Sequence, residues 1–328
     1  MTLYAATELH ELYNTGTAVE TTTSNRFDGT YGIRNAWYAG STVSDYVSAV
    51  TPGSSGLGSF TTFWMAFYVY RGNTWQSGSV GLELYNSSGT PVFRIYHTSN
   101  DVAQAQYWNG SSWVNIGSSY TVSGNPLLRF DFKIVCGASG SFEWYINSSI
   151  YTSGSASMTS VTNIDEWRVR WAGGTGRWHV SECIWGDEAT IGHRYCIAAP
   201  TGDGFYTAGS GSYTDVDEST TNDGDATTLT NNGDAETYTH SAMTLPSGTV
   251  KLVQVSARVR SAATGAQNVK ARLRKSSTNY DQASNYAGIG AGYTAYRARW
   301  TTDPATGSAW TQANAQDTAQ NFGLVAQT

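Results

Sequence analysis

Residues 164–192 read IDEWRVRWAGGTGRWHVSECIWGDEATIG. Trp167, Val169 and Trp171 alternate with Arg168 and Arg170. At the period of two of a β-strand, this puts three large apolar groups on one face and two cations on the other. Gly173, Gly174 and Gly176 make a turn, and Trp178 to Trp185 reads as a second strand, so the pair reads as an antiparallel hairpin. The parity of the second strand is mixed: Val180 and Ile184 share a face with Glu182, while Cys183 and Trp185 point the other way. A bulge, or a strand covered on both faces, each accounts for it. Composition changes after Gly192, which marks the close of one domain (residues 1–192) and the start of another (193–328).

Upstream, the same periodicity recurs. Residues 63–70, FWMAFYVY, form the longest apolar run and read as a buried strand, far short of the ~20 residues of a membrane-spanning helix. An Asp28-Gly29 turn leads toward Tyr31, Ile33 and Trp37, and strands follow at 80–85 and 92–97, joined by the turn NSSGT. Residues 104–116, QAQYWNGSSWVNI, form a compact hairpin in which Trp108 and Trp113 flank the Asn109-Gly110 turn as cross-strand neighbours. Leu128, Phe130, Phe132 and Ile134 alternate with Arg129, Asp131 and Lys133 in the clearest half-buried strand of the chain, and Phe142 to Asn147 returns it.

The totals agree with an all-β chain. Charged residues are 13% of the 328, against roughly a quarter in an ordinary domain, while Gly numbers 35, Trp 12 and Tyr 21. A net charge of −6 without a Lys/Arg run leaves no footprint for nucleic acid. The N-terminus lacks the basic and apolar segments of a secretory signal. Cys136, Cys183 and Cys196 read as reduced, buried thiols, with a Cys183–Cys196 bridge as the alternative.

Downstream, residues 198–233 are rich in Gly, Ser, Thr, Asn and Asp and read as a linker with surface loops. Strands resume at 236–240, 250–259, 268–274 and 293–300. Asp303-Pro304 and Gly307 turn the chain, Thr311 caps a short helix over 312–321, and 324–326 is a last strand. The fold expected is an N-terminal two-sheet jelly-roll sandwich followed by a smaller C-terminal β-sandwich with one short helix.

The order of the Gly-Ile strand after its turn, FWMAFYVY, LLRFDFKI with its return FEWYI, and WHVSECIWGDEATIG resembles the concanavalin A-like, laminin-G-like domain of bacteriophage structural proteins. GSYTDVDES (211–219) and DPATGSAWT (303–311) resemble the C-terminal half of the same proteins. The resemblance implies a virion component of a tail, neck or head appendage, assembled in the host cytoplasm and free to contact host-surface polysaccharide, and the charge-poor, aromatic-rich composition points to contact with copies of itself, as a homo-oligomer, or with other virion proteins.

No nucleophile elbow, zinc-protease, phosphate-loop or Cys-x-x-Cys motif occurs. No strand carries carboxylates at alternate positions, as a sandwich glycosidase requires; Asp165-Glu166, Asp187-Glu188 and Asp217-Glu218 are adjacent pairs, read as solvated. The chain therefore reads as a non-enzyme without a cofactor. Asp215 and Asp217 are the candidates for a Ca²⁺ ion. Sugars stack their C–H faces on aromatic rings, and turn-proximal Trp75, Tyr107, Trp108, Trp113 and Trp178, with Gln106 and Asn109 as polar companions, are the glycan-binding candidates. A free lectin-like protein and a glycan-cleaving enzyme are the alternatives.

Overall fold

Aromatic and β-branched residues at alternate positions need two walls to bury them, and the chain builds these walls as paired antiparallel sheets. The computed structural model describes residues 5–7, 13–15, 19–21, 36–38, 46–48, 59–71, 74–124, 127–170, 178–217, 224–245, 247–262 and 268–327. Described residues up to Arg194 form one compact unit and those from Tyr195 onward a second.

The first unit is an all-β jelly-roll sandwich. Its strands are β1 (Ala5–Thr7), β2 (Tyr13–Thr15), β3 (Val19–Thr21), β4 (Ala36–Tyr38), β5 (Tyr46–Ser48), β6 (Thr62–Arg71), β7 (Val80–Tyr85) and β8 (Pro91–Ser99). The remainder are β9 (Val102–Trp108), β10 (Trp113–Asn115), β11 (Tyr120–Thr121), β12 (Leu127–Val135), β13 (Gly137–Ile146), β14 (Ser149–Met158), β15 (Glu166–Arg170) and β16 (Trp178–Gly186). One sheet runs β14-β13-β12-β6-β16-β4-β3 with β1 on β16; the other runs β10-β9-β8-β7-β15-β5-β2 with β11 on β9.

The stretch that decides the fold is not a hairpin. β15 pairs with β7 and β5 in one sheet, and β16 with β6 in the other. The two strands therefore belong to opposite sheets, and Trp167 of β15 and Trp185 of β16 touch across the core at 5.6 Å, edge to face. Trp171 and the glycine turn lie outside the described residues, as do Asp28, Gly29, Tyr31 and Ile33. The mixed parity of β16 has both of its anticipated causes. A register shift between Ser181 and Ile184, with Glu182 at φ 51°, turns the inward set from Trp178 and Val180 to Cys183 and Trp185. Every residue of the strand is buried.

β12 corrects the expectation of a strand with one wet face. Asp131 is fully buried and Arg129 nearly so, because the chain following β16 lies over them. Arg129 Nε and Nη2 donate to the two Asp131 oxygens at 2.9 and 3.0 Å, its Nη1 and Nη2 donate to the carbonyls of His193 and Thr190, and the Thr190 hydroxyl donates to Asp131. Glu182, placed by the bulge, takes Arg194 in a two-pronged ion pair. These polar groups fix the path by which the chain leaves the sandwich.

The second unit holds β17 (Pro200–Thr207), β18 (Ala235–His240), β19 (Val253–Val259), β20 (Asn268–Lys275), β21 (Thr278–Asp281), β22 (Thr294–Trp300), helix α1 (Gln312–Ala315) and β23 (Asn321–Gln327). A five-stranded sheet, β17-β18-β23-β20-β21, accompanies the β19-β22 pair around a core of Ala271, Leu273, Tyr296, Trp300 and Trp310. β17 lies inside the segment read as linker; its alternating exposure is that of an edge strand, and its glycines allow close approach to β18. Gly323 sits where a Cβ would fall 1.9 Å from the carbonyl oxygen of Glu236. The helix keeps its Thr311 cap but stops after one turn, and a turn at Asp317, whose side chain accepts from the Ala319 amide and whose carbonyl accepts from the Gln320 amide, leads the chain into β23. Asp303, fully buried, anchors the preceding turn by accepting from Lys275 Nζ at 2.9 Å and from the Ala305 amide.

Candidate functional site

β8 alternates Phe93, Ile95 and His97 inward with Arg94 and Tyr96 outward. Across the sheet, antiparallel register sets Arg94 beside Gln106 of β9 and Glu83 of β7, Gln106 beside Asn115 of β10, and Glu83 beside Arg168 of β15. The outer face thus carries a polar row, Asn115, Gln106, Arg94, Glu83, Arg168, contributed by five strands and held at strand spacing.

Arg94 is held by one hydrogen bond and two rings. Its Nε donates to Gln106 Oε1 at 2.8 Å, and Gln106 Nε2 donates in turn to Asn115 Oδ1 at 2.8 Å. Its guanidinium lies 4.2 Å from the centre of the Trp113 ring and 4.5 Å from that of Tyr96, within cation–π range of both. Partial burial among these groups lowers its pKa, while the nearby Glu83 carboxylate acts the other way. Trp108 and Trp113 pair across the hairpin at 5.6 Å, edge to face, and both are half-buried.

The neighbouring charges are neutralised locally. Arg170 Nη1 donates to Glu83 Oε2 at 2.6 Å, and Tyr85 donates to the same oxygen. Burial, followed by the Glu83 charge, raises the Tyr85 phenol far above its ordinary value. Arg168 grips both oxygens of Glu166 and stacks 3.9 Å over the Tyr85 ring. Glu166 is buried and ion-paired, contrary to its reading as a solvated strand-end carboxylate.

Of the seven residues singled out by sequence, Trp108, Trp113 and Gln106 belong to this face. Trp75 and Trp178 do not. Both are buried in the core, 5.1 Å apart, with His97 between the sheets beside them. Tyr107 points inward into the same core, because it has the opposite parity to Gln106 and Trp108. A ring enclosed on all sides offers no face to a sugar. Asn109 is exposed, but its side-chain oxygen accepts from Ser111 and Ser112 and so shapes the hairpin loop. Arg94, Tyr96 and Asn115 were missed. The alternation in FRIYH that puts Phe93 and Ile95 inside also puts Arg94 and Tyr96 outside, yet only register shows which strand they face.

Asp215 is occupied as a cap: its Oδ2 accepts from the Ser212 amide at 2.7 Å. Among the described residues, no three His, Cys, Asp or Glu side chains gather in metal-binding geometry; Glu218 and Asp223 lie outside them. Cys183 is in the core, Cys136 and Cys196 are half-buried, and none is in a disulfide. Burial pushes the Cys136 thiol up to about 11. No described helix is long and apolar enough to cross a membrane.

No family model matches the chain, and no curated protein does. Solved structures do. A cellulose-induced protein, Cip1, is 12% identical with a TM-score of 0.38, over 53% of this chain and 86% of its own. An endo-β-1,4-glucuronan lyase from Trichoderma reesei is 14% identical with a TM-score of 0.38, over 57% and 95%. Domain 4 of the arabinanase AbnA from Geobacillus stearothermophilus, solved with arabinotriose, is 11% identical with a TM-score of 0.36, over 53% and 81%. Values this low assign neither family nor activity to this chain.

Proposed function

We propose that the chain is a non-enzymatic structural protein of bacteriophage particles whose N-terminal sandwich binds host-surface glycan on the outer face of the β7–β10 strands. The observation that supports glycan binding is the Trp108–Trp113 pair set half-buried beside Arg94 and the Gln106–Asn115 amides. Rings meet the C–H faces of a sugar, and amides held in one orientation by their neighbours read its hydroxyls. The carboxylates of the face, Glu83 and Glu166, are each engaged by an arginine, which suits a binding surface. The virion role rests on the resemblance of the strand order and of the 211–219 and 303–311 segments to phage structural proteins. Copies repeated on a particle would turn weak single contacts into firm adhesion.

Two measurements test this. A glycan array probed with the intact protein and with Trp113→Ala should show binding that the variant loses roughly tenfold, about 1.4 kcal/mol. Gold-labelled antibody should mark a discrete appendage on purified particles. Array binding without labelled particles would favour the free lectin; no binding and no label would refute both parts.

A further inference from the structure

The outer face of the β7–β10 strands and β15 carries Arg94, Arg168 and Arg170 together with the carboxylates of Glu83 and Glu166. Arg168 and Arg170 are matched by Glu166 and Glu83. Arg94 is left over. Its Nε is taken by Gln106, and among the described residues no group accepts from its two terminal nitrogens. We propose that the glycan bound at this face carries a carboxylate, as uronic and sialic acids do, and that Arg94 reads it with its two terminal nitrogens. The inference rests on the glycan-binding reading and adds the class of sugar.

Three features support it. The guanidinium is stacked against Trp113 and Tyr96 and pinned at Nε, so little side-chain entropy remains to be lost when a ligand arrives. The guanidinium edge opposite Nε presents parallel N–H groups at the spacing of the two oxygens of a carboxylate, a geometry a single ammonium cannot offer. A pyranose is roughly 5 Å across, about one strand spacing, so a sugar packed beside the edge-to-face Trp108–Trp113 pair lies within reach of the guanidinium held over Trp113. The chain as a whole carries a net charge of −6, which repels polyanions, so attraction to an acidic polymer has to come from a local site.

The test uses the intact protein with polygalacturonate, hyaluronate and polysialate, each beside its carboxyl-reduced neutral counterpart, by biolayer interferometry at about 0.15 M salt. At least one acidic polymer should bind roughly tenfold or more tightly than its reduced form, the effect expected of a charge-assisted bidentate contact. Arg94→Gln should erase that preference, so that the acidic polymer and its reduced form bind alike. Arg94→Lys keeps the charge and should lose most of the preference. Matching melting curves of the variants would show that the sandwich is intact. Equal binding of acidic and reduced polymers, or a preference that survives Arg94→Gln, overturns this inference and leaves the glycan-binding reading standing. Failure to bind any polymer here and any glycan on the array overturns both.

Discussion

His97 makes the stability of the N-terminal sandwich depend on pH in a direction its hydrogen bonds dictate. The ring is fully buried against Trp75 and Trp178. The Trp178 indole, which can only donate, gives its N–H to His97 Nε2 at 3.2 Å, so that nitrogen carries no proton. Ser79 Oγ donates to the Gln76 carbonyl and is therefore free to accept from Nδ1–H at 2.8 Å. The imidazole is thus neutral, and burial lowers its pKa from 6.5 to about 3. The unfolded chain binds a proton near pH 6.5 and the folded chain does not, so this stability is fully present above 6.5 and is lost as pH falls toward 3. Between pH 7 and 5 the folded-to-unfolded ratio should drop roughly 25-fold, about 2 kcal/mol, while most carboxylates stay ionised. Urea unfolding followed by tryptophan fluorescence at pH 7, 6 and 5, on the intact chain and on His97→Gln, isolates the term. The variant should be less stable at pH 7, yet its loss on acidification should be smaller by about 2 kcal/mol. Parallel pH profiles for the two proteins would refute the assignment of a neutral, indole-bonded imidazole.

Other substitutions probe the packing. Asp131→Ala strands the Arg129 guanidinium in a buried site and should destabilise the first unit by about 3–5 kcal/mol in chemical denaturation. Gly81→Ala puts a Cβ 2.2 Å from the Trp178 ring; it should destabilise the same unit and shift tryptophan fluorescence, the ring being unable to keep its place. Gly323→Ala, by contrast, meets backbone of β18 and should lower the melting temperature of the second unit or stop it folding, read by calorimetry. Asp303→Ala removes the partner of Lys275 and of the Ala305 amide, with an expected loss of about 2–4 kcal/mol in that unit.

The all-β class, the 104–116 hairpin with its facing tryptophans, the buried FWMAFYVY strand and the Thr311 cap were legible in the sequence, because period two, an Asn-Gly turn and a capping hydroxyl act within a few residues of themselves. Register and sheet membership were not, because they are set by contacts between residues far apart in the chain. Residues 164–192 show this most sharply. Local pattern identifies two strands there, and only their pairing with distant strands, β15 with β7 and β5 and β16 with β6, assigns them to opposite sheets, where Trp167 meets Trp185 across the core. The same limit divided the binding candidates. Aromatic character near turns picked Trp75, Trp108, Trp113 and Trp178 alike, but a ring's chemistry is the same in the core and at the surface. The sandwich enclosed Trp75 and Trp178 with His97 and left Trp108 and Trp113 beside an arginine that the sequence had shown only as the outward residue of a strand. Side-chain type and alternation were thus determined by the sequence itself. Which aromatic faces water, and which charge remains unmatched beside it, was decided by the pairing of distant strands, since only tertiary packing determines what lies opposite each side chain.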